Sequence, residues 1–127
     1  MPGWLWVALG GAVGSVARYG VGQLLSHYWG DRLPWGTLSV NIVGSLIAGL
    51  IWAWSLRGGQ VDTTTIAPAY AFGMIGFCGG FTTFSAFSRE AFVMLQSGQH
   101  SQALFYMLIS VAVGILGFWL GFRLMNL

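Results

Sequence analysis

The 127-residue chain sets five arginines and three acids, with no lysine at all, against 56% hydrophobic residues. A water-soluble domain carries about a quarter charged residues, so this composition excludes a soluble globular fold. The formal charge of +2 comes from arginines scattered along the whole sequence; without a basic patch, nucleic-acid binding is excluded as well. Cys78 is the single cysteine, has no intrachain partner for a disulfide, and says nothing about redox compartment.

A helix that crosses a hydrocarbon core of about 30 Å needs about 20 apolar residues, and the segments 3–26, 35–56, 66–96 and 103–125 meet that requirement. The first is interrupted only by Arg18. No basic run precedes it and it continues past the length of a signal-peptide core, so it reads as a retained span. The second has no charge. Too long for an upright span, the third holds Gly76, Gly79 and Gly80 near its middle and predicts a helix broken near 76–83. The fourth meets a charge only at Arg123. Turn chemistry fills the connections: His27, Asp31, Arg32 and Pro34 in the first, Gly58, Gly59 and Asp62 in the second, Ser97 and Gly98 in the third. The expectation is one all-α transmembrane domain over 1–127, with four spans and both termini on one side.

Loop arginines normally mark the cytoplasmic side. Here Arg57 and Arg123 fall on the side of the termini, while Arg32, joined by Arg89 if the third span ends there, falls on the other. That is no usable bias, and it predicts insertion in both orientations and an antiparallel homodimer. Small residues let helices approach in lipid. Gly11, Ser15, Arg18 and Gly22 share one face of the first helix, and Gly10 and Gly14 lie on another. Thr37, Asn41, Gly44, Ser45 and Ala48 follow helical spacing in the second span, as do Ser110, Gly114, Gly117 and Gly121 in the fourth. So many small faces exceed what one chain needs, so several are expected to meet a second subunit.

The stretch Gly76-Phe-Cys-Gly-Gly-Phe-Thr-Thr-Phe-Ser-Ala-Phe-Ser-Arg-Glu90 concentrates glycine and hydroxyl residues at mid-span. Broken backbone at that depth must be buried in protein or line a wet cavity. It frees carbonyls at one half-helix end and amide N–H groups at the next, close together. A cation would bind carbonyls near Gly79 and Thr82; the plainer alternative is a packing kink. Phe84, Phe87 and Glu90 recur at i, i+3 and i+6, so they share a helix face. An aromatic edge is electropositive and suits an anion, though phenylalanines at this spacing also serve as lipid-facing or core filler.

Asn41 can donate amide hydrogen bonds and needs a partner when buried. Arg18 and Glu90 lie within spans, where a charge needs a partner or water. Arg18 suits an anion-attracting vestibule, or else a structural ion pair or snorkelling; Glu90 suits a hydroxyl partner or Arg89. Thr37, Ser39, Thr83 and Ser110 add hydroxyls, although such residues commonly bond back to their own backbone. His27 and His100 fall in connections and read as interfacial, and Trp4, Trp6, Trp29, Trp35, Trp52 and Trp54 read as interfacial anchors. With no nucleophile–base pair, zinc-ligand cluster or phosphate-cradling loop in the sequence, no enzyme is expected.

These residues form motifs. Gly10-Gly11-Ala-Val-Gly-Ser-Val-Ala-Arg18-Tyr19, Gly36-Thr-Leu-Ser-Val-Asn41 and Gly76-Phe-Cys-Gly-Gly-Phe-Thr-Thr-Phe-Ser-Ala-Phe87, in that order over nearly the whole chain, closely resemble the Fluc fluoride channels, the CrcB family. The resemblance implies a dual-topology antiparallel homodimer in the cell (inner) membrane with two parallel fluoride pores. It also implies a sodium ion at the dimer centre, held by backbone carbonyls of Gly79 and Thr82. Phe84 and Phe87 match the family's pore phenylalanines, Asn41 its pore asparagine, Glu90 the acid after the phenylalanines and Arg18 the first-helix arginine. Tyr106 and Ser110 fit the tyrosine and serine of a polar track to which Thr83 adds a hydroxyl. The family's usual Thr-Phe-Ser-Thr-Phe reads Thr83-Phe84-Ser85-Ala86-Phe87 here, and Gly114 stands where some relatives carry a second serine.

The function so implied is passive export of fluoride down its electrochemical gradient, which protects the cell from the ion. The alternative is a small proton-coupled exporter. That mechanism wants an exchangeable carboxylate, typically in the first span, yet the first two spans hold no acid and Glu90 is the only candidate. A non-transporting assembly subunit is a third reading, to which the glycine stripes are indifferent.

Overall fold

Helices make up the architecture of the computed structural model, which describes residues 1–58 and 66–127. Gly59 and Asp62 of the second connection lie outside the described residues. The elements are α1 (Gly3–Trp29), α2 (Trp35–Gly58), α3 (Pro68–Tyr70), a π-helical stretch (Ala71–Cys78), α4 (Gly79–Phe81), α5 (Phe84–Gln96) and α6 (His100–Met125). Three stretches, Trp35–Gly58, Pro68–Gln96 and His100–Met125, are long and apolar enough to cross a membrane. The chain is an all-helical, multi-pass membrane protein. The 27 residues of α1 extend about 40 Å at the helical rise, with Arg18 past the midpoint.

Three helix ends, at Trp29, Gly58 and His100, lie beyond the expected span limits, because polarity ends a membrane span without ending a helix. His27, Tyr28 and Trp29 continue α1 until Gly30, whose φ of 73° only glycine adopts readily, turns the chain away. His100 starts α6 upstream of residue 103. Both histidines are therefore helical, in a last turn and a first turn, and not in connections. Trp4 and Trp29, 68% and 59% exposed near opposite ends of α1, are placed as interfacial anchors would be.

The glycine stripes expected to meet a second subunit are largely taken up inside the chain. A Cβ at Gly10 would strike the Phe72 carbonyl oxygen and one at Gly14 that of Phe77, so α1 lies backbone to backbone along the π-helical stretch. On the other side, Gly49 faces the Phe118 carbonyl oxygen, Gly121 that of Leu46, and Gly117 that of Ile42 at 3.2 Å, which locks α2 to α6. Gly44 is closed by the Thr82 methyl. Such contact replaces the hydrophobic drive that lipid does not provide. Gly49→Ala and Gly121→Ala are each expected to lower stability by about 1–3 kcal/mol through overpacking, read as the thermal midpoint in detergent. Gly20→Ala, with nothing within 4 Å of the new Cβ, is expected to leave the midpoint unchanged.

A second anchor joins α5 to α6. Ala91, Met94, Ala103 and Tyr106 are buried together, with Leu33, Leu38, Phe87 and Met107 packed around them. Between the helices Gly98 takes a φ of 78°, and Gln99 N–H returns to the Met94 carbonyl at 2.9 Å. This turn and cluster hold Phe87 and Glu90 of α5 against α6.

Candidate functional site

Between α4 and α5 the backbone is extended, with φ/ψ of −119°/114° at Thr82 and −124°/114° at Thr83. A helix end strands carbonyls that the next turn would have satisfied, and here those of Cys78 and Gly80 find specific partners. The Cys78 carbonyl accepts the Thr82 N–H at 3.1 Å and the Thr82 hydroxyl at 2.7 Å. Arg18 Nε donates to the Gly80 carbonyl at 3.0 Å. Thr83 N–H, which a continuous helix would give to the Gly79 carbonyl, goes to Asn41 Oδ1 at 2.8 Å. Asn41 Nδ2 reaches back to the Thr83 carbonyl at a long 3.5 Å. α5 then opens with Thr83 as its cap, the hydroxyl accepting from Ala86 N–H at 3.2 Å and standing 3.1 Å from Ser85 Oγ.

This interruption borders two spaces. One is an open groove of about 310 Å³ that brings Asn41, Thr83, Phe84, Phe87 and Ser110 together with Ser45, Thr82 and Val111. Phe84 is 79% exposed, and its ring centroid lies 5.6 Å from that of Phe87, which in turn lies 5.3 Å from Tyr106. Among the described residues, Ser110 Oγ is the buried side-chain polar atom without a hydrogen-bond partner. A hydroxyl is both donor and acceptor, so an acceptor entering the groove would complete it.

The other space is a cavity of about 320 Å³ lined by Arg18, Thr37, Thr83, Arg89 and Glu90 among others, with Ser26 and Asp31 hydrogen-bonded to one another at its rim. Thr83 lines both spaces, which therefore adjoin at the interruption. Both carboxylate oxygens of Glu90 are engaged: Thr37 Oγ1 donates to Oε1 at 2.7 Å and the Tyr106 hydroxyl to Oε2 at 2.8 Å. Arg89, the other partner expected, makes a longer ion pair with Oε1 at 3.8 Å, its side chain 74% exposed. The hydroxyls are the closer partners.

Of the residues singled out in the sequence, Asn41, Thr83, Phe84, Phe87 and Ser110 thus share the groove, while Arg18 and Glu90 line the adjoining cavity. Tyr106 lines neither. It is 2% exposed, and it acts on the site through Glu90 and Phe87. Gly79 lies on the exposed surface with open space around it. Two contributors were not assigned from the sequence, Thr37 as a Glu90 partner and Ser45 in the groove wall. Their signal was present in the helical spacing of Thr37, Asn41 and Ser45, which carries one polar line down α2.

A family model described as "CrcB-like protein, Camphor Resistance (CrcB)" matches residues 5–122. The chain is 43% identical over 124 residues to a protein of Thermus thermophilus named "Fluoride-specific ion channel FluC", covering 98% of this chain and 95% of that one. A protein of the same name from Leptospira interrogans is 45% identical over 112 residues, 87% and 84% of the two chains. One from Magnetococcus marinus is 44% identical over 116 residues, 91% of each. With the family model spanning nearly its full length and relatives at this identity, the chain belongs to the CrcB-like family.

Proposed function

We propose that this chain forms a fluoride-selective passive channel that lets the ion leave the cell, with no reaction catalysed and no energy source. The observation that carries the reading is the unpartnered Ser110 hydroxyl in a groove lined by the Phe84 and Phe87 rings and by Asn41. A buried donor without an acceptor is costly, and a dehydrated anion at that place supplies the acceptor while the positive edges of the rings face its charge. The relatives named for fluoride identify which anion. A membrane potential of about 100 mV, negative inside, favours exit of a monovalent anion by about 2.3 kcal/mol.

The groove is half a pathway, open along the side where Phe84 protrudes. A second copy, inserted the other way up in the inner membrane, closes it, and α1 completes a fourth span. Arg57, bonded to Asn126 beside the end of α6 at 3.1 Å, and Arg123 balance Arg32 and Arg89, so neither orientation is favoured. A central sodium ion fits the chain's own atoms. Gly79 is exposed, and its carbonyl has ceded the Thr83 N–H to Asn41. The Gly79 and Thr82 carbonyls of two copies would hold the ion, which supplies positive charge at the join between them.

The proton-coupled exporter gains no support from relatives named as ion channels, and its one candidate carboxylate is held by Thr37 and Tyr106. In potassium fluoride-loaded liposomes the purified protein is expected to release fluoride when valinomycin is added, retain chloride under the same gradient, and ignore an imposed pH gradient. Absence of fluoride release, or release that follows the proton gradient, overturns the channel reading.

A further inference from the structure

We infer that Arg18 is a positioning residue of the pathway: its guanidinium clamps the end of the interrupted helix and so fixes the place of Thr83, the residue common to the groove and the adjoining cavity. For its flux readout the inference rests on the proposed channel function. The Gly80 carbonyl would take the Phe84 N–H in a continuous helix, but Phe84 lies beyond two extended residues. Arg18 Nε supplies the missing donor at 3.0 Å from across the fold. The α1 face leading up to it is fitted to the same place. A Cβ on Gly80 would meet Ser15 Oγ at 3.0 Å and the Gly11 carbonyl, so Gly80 is pressed against the Gly11–Ser15 side of α1 and Arg18 closes that contact farther along the same face.

On the opposite side Asn41 holds the Thr83 peptide from α2. The two extended residues are thus gripped at both ends, the carbonyl before them by α1 and the peptide at their close by α2. Release of either grip lets Thr83 shift, and Thr83 caps α5 and orders the first turn that carries Phe84 and Phe87. A lysine keeps the charge but not the function, because its ammonium is a mobile point charge on a flexible stem, without the planar fork that fixes Nε.

The test separates clamp from charge. Arg18→Lys, Arg18→Gln and Arg18→Met proteins are reconstituted for fluoride flux, and amide hydrogen exchange is measured over residues 79–87 with residues 100–125 as reference. The clamp predicts that Arg18→Lys and Arg18→Met each lower maximal flux by at least about tenfold, as small misplacements of a working site do. Half-saturating fluoride stays within about twofold, since no group lining the groove is removed. Exchange over 79–87 accelerates while the reference stays still, and Arg18→Gln, neutral but with a planar N–H donor, keeps more flux than Arg18→Met. Wild-type flux and exchange in Arg18→Lys, or a raised half-saturation with unchanged exchange, assigns the residue to charge attraction and overturns the inference. Should Arg18→Lys fail to fold, equal flux in Arg18→Gln and Arg18→Met does so instead. If the wild-type protein passes no fluoride, the channel reading fails by itself and the exchange measurement alone decides the clamp.

Discussion

Phe84→Ile is expected to cut fluoride flux by at least about tenfold, a loss that about 1.4 kcal/mol of barrier produces, and to leave the thermal midpoint of the protein where it was. The ring is 79% exposed in the single chain, so isoleucine removes little packing within the fold, and where a second copy covers the position isoleucine keeps an apolar side chain in place. What isoleucine removes is the quadrupole: an aliphatic side chain has no electropositive edge to offer a halide that has left its water behind. Phe87→Ile is expected to lose flux to the same degree, yet here the midpoint falls too. Phe87 packs on Tyr106 and the Ala91–Met94–Ala103 cluster, and truncating such a ring costs about 1–3 kcal/mol. The contrast decides between chemistry and filler. If the rings only fill space, flux follows stability and Phe84→Ile is silent; flux measured beside thermal melting in the same detergent preparation tells the two apart.

Three of the spans and the shared face of α5 were legible because they depend on composition and on a helical period. Phe84, Phe87 and Glu90 had to share a face once α5 was helical, whatever surrounded it. Partners were a different matter. That Arg18 and Glu90 needed company follows from the cost of a charge in lipid, but their partners stand 62 and 53 residues away in Gly80 and Thr37, and a backbone carbonyl leaves no mark in a sequence. The glycine stripes were ambiguous for a related reason: a small residue announces that something comes close, not whether that neighbour is the same chain. Gly10 and Gly14 meet the π-helical stretch, and Gly117 and Gly121 meet α2. The widened helix at Ala71–Cys78, which lies backbone to backbone with α1, had no signal in propensity either.

The two spaces that meet at Thr83 divide the labour. In the cavity, charge is paired: Glu90 with hydroxyls, Asp31 with Ser26, Arg18 with a carbonyl. In the groove there is no formal charge, only an amide, hydroxyls and two rings. Such an order suits an ion that leaves water by degrees. On the proposed reading a polar antechamber would replace part of its shell, and a neutral stretch would then hold it weakly enough to release it, as conduction demands.

Asn41→Asp tests that neutral stretch, and it separates folding from conduction. The two side chains have the same shape, and the carboxylate keeps an oxygen where Oδ1 accepts the Thr83 N–H; what it forfeits is the long contact to the Thr83 carbonyl and the neutrality of the groove. The unpaired carboxylate within a span costs some stability, so the flux is expected to fall far more than the midpoint does. A fixed negative charge about 5 Å from a passing anion raises its energy by about 3 kcal/mol at an effective dielectric of about 20, and a barrier of that size slows passage by about two hundredfold. Asn41→Leu is expected to fail differently. It leaves the Thr83 N–H unpaired, a loss of about 1–3 kcal/mol, and lowers the thermal midpoint together with the flux. Fluoride release from liposomes, compared with the melting curve of each variant, reads both quantities. Flux in Asn41→Asp equal to that of the unaltered chain would mean that the ion passes without coming near α2, and the groove would lose its claim to be the route.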